Sequence, residues 1–506
     1  MNIIQSKSVK FIALMLLVAT AGCSRMTDDV EYSQADFQQH LGQRIPDLMD
    51  WYEVPGVSVA LIKNGKISWS DAYGLADIEN EVRMSPKTIC RVESISKSVT
   101  ARGVMKLVEK GEIQMDDPVY LHLESWGFPE SEVDFKKVTI RHLLSHSSGL
   151  TLGTIGLEYD PREEKPSLRE SLSREVRFER EPRTVFSYSN VGYHLLELLI
   201  EDVTGRSFSE YMLNEILIPL KMENASFEWS EDFITPVPNG HNLNGDPVPV
   251  YVYSEKGAGG LFANVEDIAT FVSSGMLDQY YSDTNVLKEK SIRELYNPLI
   301  EAAGIYSLVS ENYGLGHFIE TLPNGKQAVF SGGQGNGWMT HFHLVPETGD
   351  GIVILTNSSR SWPLISHILS DWAEWNGFGS LGMDLIAKAT TGLWIVIGLI
   401  FTVSFLQIVR MIRDSIQGKR RFDLQIKNYS GVQYLQLTMA LILIFVLIWS
   451  LTSEYLLISS VFPGASPWLM IALVLVMLTL LLSVLLSKKG QEMSLSNNSE
   501  SIFLNK

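Results

Sequence analysis

A serine followed three residues later by a lysine, at Ser94 and Lys97, is the first candidate for chemistry in this sequence. On a helix these two positions share one face, so Lys97 can reach the hydroxyl of Ser94. A free serine is a weak nucleophile that needs an adjacent base or cation. Apolar residues at helical spacing over residues 99–108, with Gly111 beyond them, predict a helix directly after the pair. The spacing therefore predicts an activated serine nucleophile at the start of a helix.

The second candidate is the tripeptide from Tyr188 to Asn190, which precedes an amphipathic helical pattern over residues 193–200. A loop at this point can project side chains into a cleft. A phenol near the ammonium of Lys97 has its ionised form favoured. Tyr188 could then take the proton of Ser94 and return it to a leaving group. Asn190 could donate to a substrate carbonyl and hold Lys97.

The third candidate is a glycine-rich segment, Ser331 to Gly333, at the end of a strand predicted over residues 327–330. The backbone N–H of the next residue, Gln334, could face the site. Together with the N–H of Ser94 it would form an oxyanion hole. Gly333 would let a substrate main chain lie against the strand, as in strand addition.

The predicted strands that must position these residues lie at the two ends of the catalytic segment, with helices between them. Strands are predicted early, with a hairpin turn at residues 63–66, and late, at residues 327–330, 339–345 and 351–356. Mostly helical patterns lie between them, and a further helix is predicted around residues 371–375. This order predicts an α+β domain over residues 35–380 whose sheet joins both ends of the segment.

The three motifs in this order resemble those of the serine β-lactamase and penicillin-binding-protein superfamily. The Tyr-x-Asn form is similar to class C β-lactamases, D-amino-acid peptidases and related esterases. Residues 91–94, 142–150, 186–196 and 257–262 also resemble family segments, and the resemblance covers residues 52–357. It implies a β-lactamase/transpeptidase-like fold, an antiparallel sheet flanked by helices. It further implies that Ser94 is the nucleophile, that Lys97 and Tyr188 handle protons, and that Asn190 orients the substrate and Lys97.

Ser331 is a departure from the family pattern, which places Lys or His at this position. A cation there would bind a substrate carboxylate or help Tyr188 lose its proton, whereas Ser331 can only hydrogen-bond. The departure weakens the case for β-lactam or C-terminal D-Ala substrates and leaves acylation of Ser94 feasible. A catalytic segment followed by three long apolar runs, at residues 392–409, 434–450 and 468–486, also resembles the layout of periplasmic peptidases that remove an N-acylated D-amino-acid leader. Arg91 stands where the colibactin-type enzyme has an acidic residue, so its D-Asn specificity does not carry over.

The N-terminus resembles an export signal, predicted over residues 1–22. Lys7 and Lys10 precede an apolar run, residues 11–22, that is too short to span a bilayer comfortably. Residues 20–23 resemble a lipoprotein box that would lipidate Cys23, and residues 19–21 resemble an ordinary cleavage site. An uncleaved anchor is the third alternative.

Three apolar runs at residues 392–409, 434–450 and 468–486 predict three transmembrane helices within residues 390–487. Basic residues crowd the first connection and are absent from the second. The positive-inside rule then places the first connection and the tail, residues 488–506, in the cytoplasm. The catalytic segment is therefore expected outside, anchored to the cytoplasmic membrane of a bacterium.

Composition excludes several classes of partner and cofactor. The net charge of −17 argues against nucleic acid, which needs a positive footprint. With Cys23 in the cleavage region, Cys90 is a lone thiol, expected to be a small buried residue. Four histidines lack ligand spacing, so neither metal nor cofactor is predicted: His241, His317, His341 and His343. His146 is expected to be structural. The predicted partners are an acyl substrate, peptide or small molecule, and membrane lipid, with the oligomeric state open.

The expected activity is two-step acyl transfer on an amide of a D-amino-acid-containing peptide. A carboxylesterase or β-lactamase of the same fold is the alternative within the enzyme class. A penicillin-binding or sensor protein that acylates without turnover is the alternative outside it. A sensor needs a cytoplasmic output domain, and the connection over residues 410–429 is too short for one.

Overall fold

The computed structural model describes residues 33–153, 157–183, 185–282, 286–423, 425, 429–452 and 457–488. The predicted signal peptide, Cys23 and the tail beyond residue 488 lie outside the described residues. The chain divides after Gln43 into two units, of which the structure describes residues 33–43 in the first and the described residues from 44 to 488 in the second. The described part of the first unit is the start of helix α1 (Gln34–Tyr52), where the backbone N–H of Asp36 donates to the hydroxyl of Ser33 at 3.2 Å.

A nine-stranded antiparallel sheet forms the centre of the second unit. Its strands are β1 (Gly56–Lys63), β2 (Lys66–Asp77), β3 (Val82–Arg83), β8 (Ile300–Glu301), β9 (Asn312–Tyr313), β10 (Phe318–Thr321), β11 (Gln327–Gly335), β12 (Trp338–Val345) and β13 (Asp350–Thr356). Across the sheet they lie in the order β3-β2-β1-β13-β12-β11-β10-β9-β8. The short strands β4 (Cys90–Arg91) and β7 (Phe262–Ala263) pair with each other, as do β5 (Gly240–His241) and β6 (Pro247–Val248).

The early and late strands meet in the middle of this sheet. Val57 of β1 pairs with Thr356 of β13, and both strands are buried almost throughout. Aliphatic and β-branched residues dominate both, which suits strands covered on two faces. The predicted hairpin between β1 and β2 is present, with positive φ at Asn64 and Gly65 as a tight two-residue turn requires. The α+β prediction, with a sheet joining both ends of the segment, is confirmed.

Helices cover both faces of the sheet and fill the middle of the chain. They are α2 (Ile95–Lys110), α3 (Ile140–Leu144), α4 (Leu168–Glu175), α5 (Asn190–Thr204), α6 (Phe208–Met212), α7 (Val265–Ser273), α8 (Glu289–Leu295) and α9 (Trp362–Trp375). Successive residues of a strand point to opposite faces. In β11, Gly332 faces Trp362 at the start of α9, whereas Gly333 faces the loop before α2. Helices α2 and α9 therefore lie on opposite faces.

Three long apolar helices follow the sheet: α10 (Asp384–Ile416), α11 (Gly431–Thr452) and α13 (Ser466–Leu485). Each is long and apolar enough to cross a membrane. A short helix, α12 (Leu457–Val461), lies between the last two. Strands β14 (Arg420–Phe422) and β15 (Leu486–Lys488) pair at the far end of this bundle. The three predicted apolar helices are thus present, and α10 begins before the apolar run that predicted it.

Candidate active site

Ser94 lies at the N-terminus of α2, directly after a strained residue. Glu93 has φ 52°, in the left-handed region that non-glycine residues seldom adopt. The Ser94 side chain makes no capping hydrogen bond to the helix that it precedes, so its hydroxyl is available to other side chains. At the other end Gly111 terminates α2 with φ 76°, as the sequence predicts. The turn thus presents the serine at the positive end of a helix dipole.

Lys97 contacts the Ser94 hydroxyl directly. Its Nζ donates to Ser94 Oγ at 2.9 Å and to the carbonyl oxygen of Ala258 at 2.8 Å. The side chain is fully buried, and burial lowers the pKa of Lys97 from 10.5 to about 7, although the Glu93 carboxylate acts in the opposite direction. Burial disfavours the charged ammonium. A large fraction of Lys97 is therefore neutral near pH 7 and able to accept a proton from Ser94.

Tyr188 lies on the other side of Ser94. Its ring centroid is 5.0 Å from Lys97 Nζ, and its phenol interacts with the Ser94 hydroxyl. Burial raises the pKa of Tyr188 well above 10, the rings of Tyr306 and Tyr313 raise it further, and only the contact with Ser94 lowers it. The prediction that a nearby ammonium favours the ionised phenol is therefore wrong, because desolvation dominates. Burial therefore favours the neutral phenol of Tyr188.

His146 holds the loop that carries Tyr188. Its Nδ1 accepts the backbone N–H of Ser189 at 3.1 Å, so its ring proton resides on Nε2. Burial and the nearby Lys97 keep the pKa of His146 well below 6.5. The ring centroids of His146 and Tyr188 are 4.2 Å apart. A neutral, buried histidine in this position agrees with the structural role expected of it.

Asn190 begins α5, whose first turn is capped by the hydroxyl of Ser189. The backbone N–H of Asn190 donates to the carbonyl oxygen of Leu152 at 2.9 Å. The second hydrogen bond of Lys97 goes to Ala258 instead of to Asn190. Asn190 therefore remains a candidate for contact with a substrate. The carbonyl oxygen of Ala258 orients Lys97, a role that the sequence suggested for Asn190.

The glycine-rich end of β11 packs closely against the loop before Ser94. A Cβ added at Gly333 would overlap the carbonyl oxygen of Val92 and the hydroxyl of Thr340. That hydroxyl donates to the same Val92 carbonyl at 2.8 Å. Only glycine fits between the two segments, so Gly333 fixes the distance between β11 and the Ser94 loop.

The end of β11 also has one open edge. Strand β10 pairs with residues 327–330 of β11, and β12 pairs with residues 329–335 on the other side. Beyond Phe330, no strand among the described residues pairs with the β10 side. Ser331 and Gly333 lie along this stretch, and Ser331 is buried. An extended peptide can add to such an edge through main-chain hydrogen bonds.

The side chain of Gln334 points away from this edge, toward α9 and α12. Trp362 Nε1 donates to Gln334 Oε1 at 2.8 Å, and Gln334 Nε2 donates to Ser460 Oγ at 2.8 Å. Only the main chain of Gln334 can therefore face a substrate. The oxyanion hole that pairs it with the N–H of Ser94 stays a prediction.

An ionic cluster that sequence reasoning missed supports the strained turn. Glu93 Oε1 accepts from Arg91 Nε at 2.8 Å and from the Tyr251 hydroxyl at 3.1 Å, and Glu93 Oε2 accepts from the Tyr253 hydroxyl at 2.9 Å. Arg91 also donates to the carbonyl oxygens of Tyr251 and Gly259. Both charges are buried and fully paired. Arg91 is thus unavailable to a substrate, and Glu93 is not a surface residue.

The cleft therefore brings together Ser94, Lys97 and Tyr188, with β11 alongside. No sequence pattern singles out Ala258 or Tyr306, although residues 257–262 carry a family-like segment. Among the described residues, no group of three His, Cys, Asp or Glu side chains is arranged to hold a metal ion. The arrangement can activate a serine hydroxyl by proton transfer to a neutral amine.

A family model described as Beta-lactamase matches residues 41–367, more than half of the chain. The chain belongs to the beta-lactamase family. Within this family it is similar to Protein flp of Staphylococcus aureus strain N315, with 26% identity over 344 residues. That alignment covers 66% of this chain and 66% of the staphylococcal protein. The unguisins hydrolase of Aspergillus campestris is 24% identical over 388 residues, covering 69% of this chain and 70% of that one.

Solved structures agree with this assignment. The octameric penicillin-binding protein homologue from Pyrococcus abyssi superposes with a TM-score of 0.57 at 27% identity, covering 67% of this chain and 78% of that one. SurE, solved with D-Leu, gives a TM-score of 0.56 at 23% identity, covering 69% of this chain and 78% of that one, and shows the shared fold alone. The protein is a serine hydrolase of the beta-lactamase fold.

Proposed function

We propose that this serine hydrolase is anchored in a membrane and cleaves an amide bond in a peptide that contains a D-amino acid. The observation that carries the catalytic part is the 2.9 Å hydrogen bond between Ser94 and a buried Lys97 whose pKa is about 7. Such a pair can generate a serine nucleophile near neutral pH without a histidine.

The reaction follows from the positions of the proton-handling groups. Lys97 takes the proton of Ser94 as Oγ attacks the substrate carbonyl. The C–N bond then breaks, and the departing amine receives a proton from Tyr188, which Lys97 restores. Water attacks the resulting ester, releases the carboxylic acid and returns the proton to Ser94. Main-chain N–H groups of Ser94 and Gln334 would stabilise the oxyanion in both steps.

The peptide preference is supported by the open edge of β11 and by the resemblance of the Tyr-x-Asn motif to D-amino-acid peptidases. The fungal relative named as an unguisins hydrolase is a further hydrolase of this family. A peptide main chain would add to the edge at residues 331–334, beside Ser94.

A carboxylesterase is the second candidate, favoured by the chemistry of Ser331. This buried side chain carries no charge, so it cannot pair with a substrate carboxylate as Lys or His would. An ester substrate needs no such pairing.

The membrane part of the proposal rests on helices α10, α11 and α13. The segment between the apolar parts of α10 and α11 carries Arg410, Arg413, Arg420 and Arg421, whereas residues 453–465 carry no Lys or Arg. By the positive-inside rule, this distribution of charge supports an extracytoplasmic catalytic domain.

One experiment tests the nucleophile and separates the substrate classes. The full-length protein in detergent and its Ser94→Ala variant are incubated with a fluorophosphonate, and adducts are measured by intact mass. An adduct on the wild type alone supports Ser94 as nucleophile, and equal labelling of both proteins contradicts it.

Turnover is then compared for N-acyl-D-aminoacyl and N-acyl-L-aminoacyl anilides and for simple aryl esters. Preference for the D-anilide supports the peptidase, and turnover of esters alone supports the carboxylesterase. A stable penicillin adduct without turnover would instead indicate a penicillin-binding protein.

A further inference from the structure

One wall of the cleft is an apolar turn that we name the lip, residues 299–309. It contains β8 and a short 3-10 helix, Gly304–Leu308. The ring of Tyr306 stacks on that of Tyr188, with centroids 4.9 Å apart and planes 19° apart. The lip therefore touches the proposed catalytic machinery from the outside.

The outer surface of the lip is apolar and exposed. Leu299, Ile305 and Leu308 are 37%, 47% and 59% exposed. Residues 302–310 contain no charged side chain, and the acidic residues Glu301 and Glu311 flank them. Exposed apolar side chains grouped in this way are typical of an interaction surface. Residues 299–311 contain no Lys or Arg, so this surface offers no electrostatic attraction to an anionic partner.

The lip lies against the start of the first apolar helix. A Cβ added at Gly382 would overlap the carbonyl oxygen of Val309, the last residue of the lip. The backbone N–H of Gly382 donates to Glu320 Oε2 at 2.7 Å, and Ser366 Oγ donates to the carbonyl oxygen of Met383 at 2.7 Å. Helix α10 begins at Asp384, directly after these contacts, so no linker separates the catalytic domain from α10.

A second contact fixes the same side of the catalytic domain to the membrane helices. Ser460 in α12 accepts a hydrogen bond from Gln334 at the end of β11. If α10, α11 and α13 each cross the bilayer, the connection that contains α12 emerges on the side where α10 begins. Both contacts therefore place the cleft at one membrane surface.

The depth of the lip follows from helix geometry. Lys388 is the last charged residue of α10 before its apolar run, four residues after Asp384. At 1.5 Å per residue this separates Asp384 from Lys388 by about 6 Å along the helix. The polar layer on each side of a bilayer is roughly 5–8 Å thick. Gly382 is six residues before Lys388, or about 9 Å at the same rise, so for a helix near the bilayer normal Gly382 and the adjoining lip lie at the outer edge of the lipid head groups.

We propose that the lip is a lipid-binding surface, with Ile305 and Leu308 inserted among the head groups of the bilayer. This inference rests on the proposed function, because it requires α10 to span the membrane. Glu301 and Glu311 remain on the aqueous side. Lipid then supports the back of Tyr306, and with it the stacked ring of Tyr188. The cleft opens at the membrane surface, where an amphiphilic acyl substrate would be concentrated.

The test uses nitroxide labels on the full-length protein in phosphatidylcholine vesicles. Three cysteine variants are labelled: Leu308→Cys in the lip, Val82→Cys and Leu399→Cys. Val82 is the matched control, because it is 51% exposed and lies on β3 at the opposite edge of the sheet. Leu399 is an exposed position within α10. Signal from the native cysteines is subtracted using the labelled parent protein, and fluorophosphonate reactivity confirms that each variant folds.

The measured quantity is the ratio of collision rates with oxygen, which partitions into lipid, and with a water-soluble nickel chelate. We expect the ratio at position 308 to lie between those at positions 399 and 82. If position 399 reports lipid and position 308 matches position 82, the lip inference is wrong and the anchor stands. If position 399 itself reports water, the membrane proposal fails. Spin–spin broadening at position 308 that vanishes on dilution with unlabelled protein would mean that a second copy covers the lip, which also overturns the inference.

Discussion

The lowered pKa of Lys97 predicts a pH dependence for the reaction of Ser94. With an ordinary pKa of 10.5, roughly 0.03% of the lysine would be neutral at pH 7, whereas a pKa of about 7 makes about half of it neutral. The gain in available base is therefore about a thousandfold. The rate of acylation should rise about tenfold per pH unit below pH 7 and level off above it.

The assay is the second-order rate constant for fluorophosphonate adduct formation, measured by intact mass between pH 5 and pH 10. Lys97→Arg should slow the reaction by roughly 10²–10⁴-fold and abolish the step near pH 7, since a guanidinium stays protonated. Tyr188→Phe should lower the rate but keep that step, because the pKa of Tyr188 lies well above 10. A wild-type step near pH 10, or a step near pH 7 that survives in Lys97→Arg, would refute the assignment of Lys97 as the base.

Three further predictions follow from the site. Burial lowers the pKa of Lys97, so the unfolded chain binds the proton of this side chain more tightly than the folded chain does. Burying the charged lysine therefore lowers the free energy of unfolding by its full amount below pH 7, and this cost disappears above about pH 10.5. Lys97→Met should therefore raise the free energy of unfolding by a few kcal/mol at pH 6 and by much less at pH 10; an equal change in thermal midpoint at both pH values would contradict this. Gly333→Ala should slow fluorophosphonate labelling at least tenfold by displacing the Ser94 loop, whereas Gly127→Ala, whose Cβ meets no atom within 4 Å, should label normally. Ser331→Lys should increase the rate of penicillin acylation by supplying a cation for the carboxylate, and an unchanged rate would show that position 331 does not contact this group.

Local patterns were sufficient to predict much of the fold. The turn at Asn64 and Gly65, the helix after Ser94 and the late strands are present because turn chemistry and apolar spacing act over a few residues. The prediction ended the third-motif strand at Phe330, whereas β11 continues to Gly335. Glycines have low strand propensity, and pairing with β12 overrides it here.

The site was less accessible to sequence reasoning, since some of its groups have no side-chain signature. The carbonyl oxygen of Ala258 binds Lys97, and any residue type can supply a carbonyl. Glu93 and Arg91 pair within a buried ionic cluster that includes Tyr251 and Tyr253, which are 158 and 160 residues after Glu93. The direction of the Tyr188 pKa also depends on burial by distant aromatic rings. These features arise only when the folded chain brings remote segments together.

The position of β13 within the sheet has a consequence for the order in which the protein folds. Strand β1 is among the first elements of the catalytic segment to be made, but its partner on one side is β13, whose last residue is Thr356. Contacts between such distant segments are slow to form, because a long loop must close first. The central sheet therefore stays incomplete until nearly the whole domain has been synthesised, when only α9 separates it from α10, which begins at Asp384. The active site can therefore be completed only shortly before the apolar helices are synthesised.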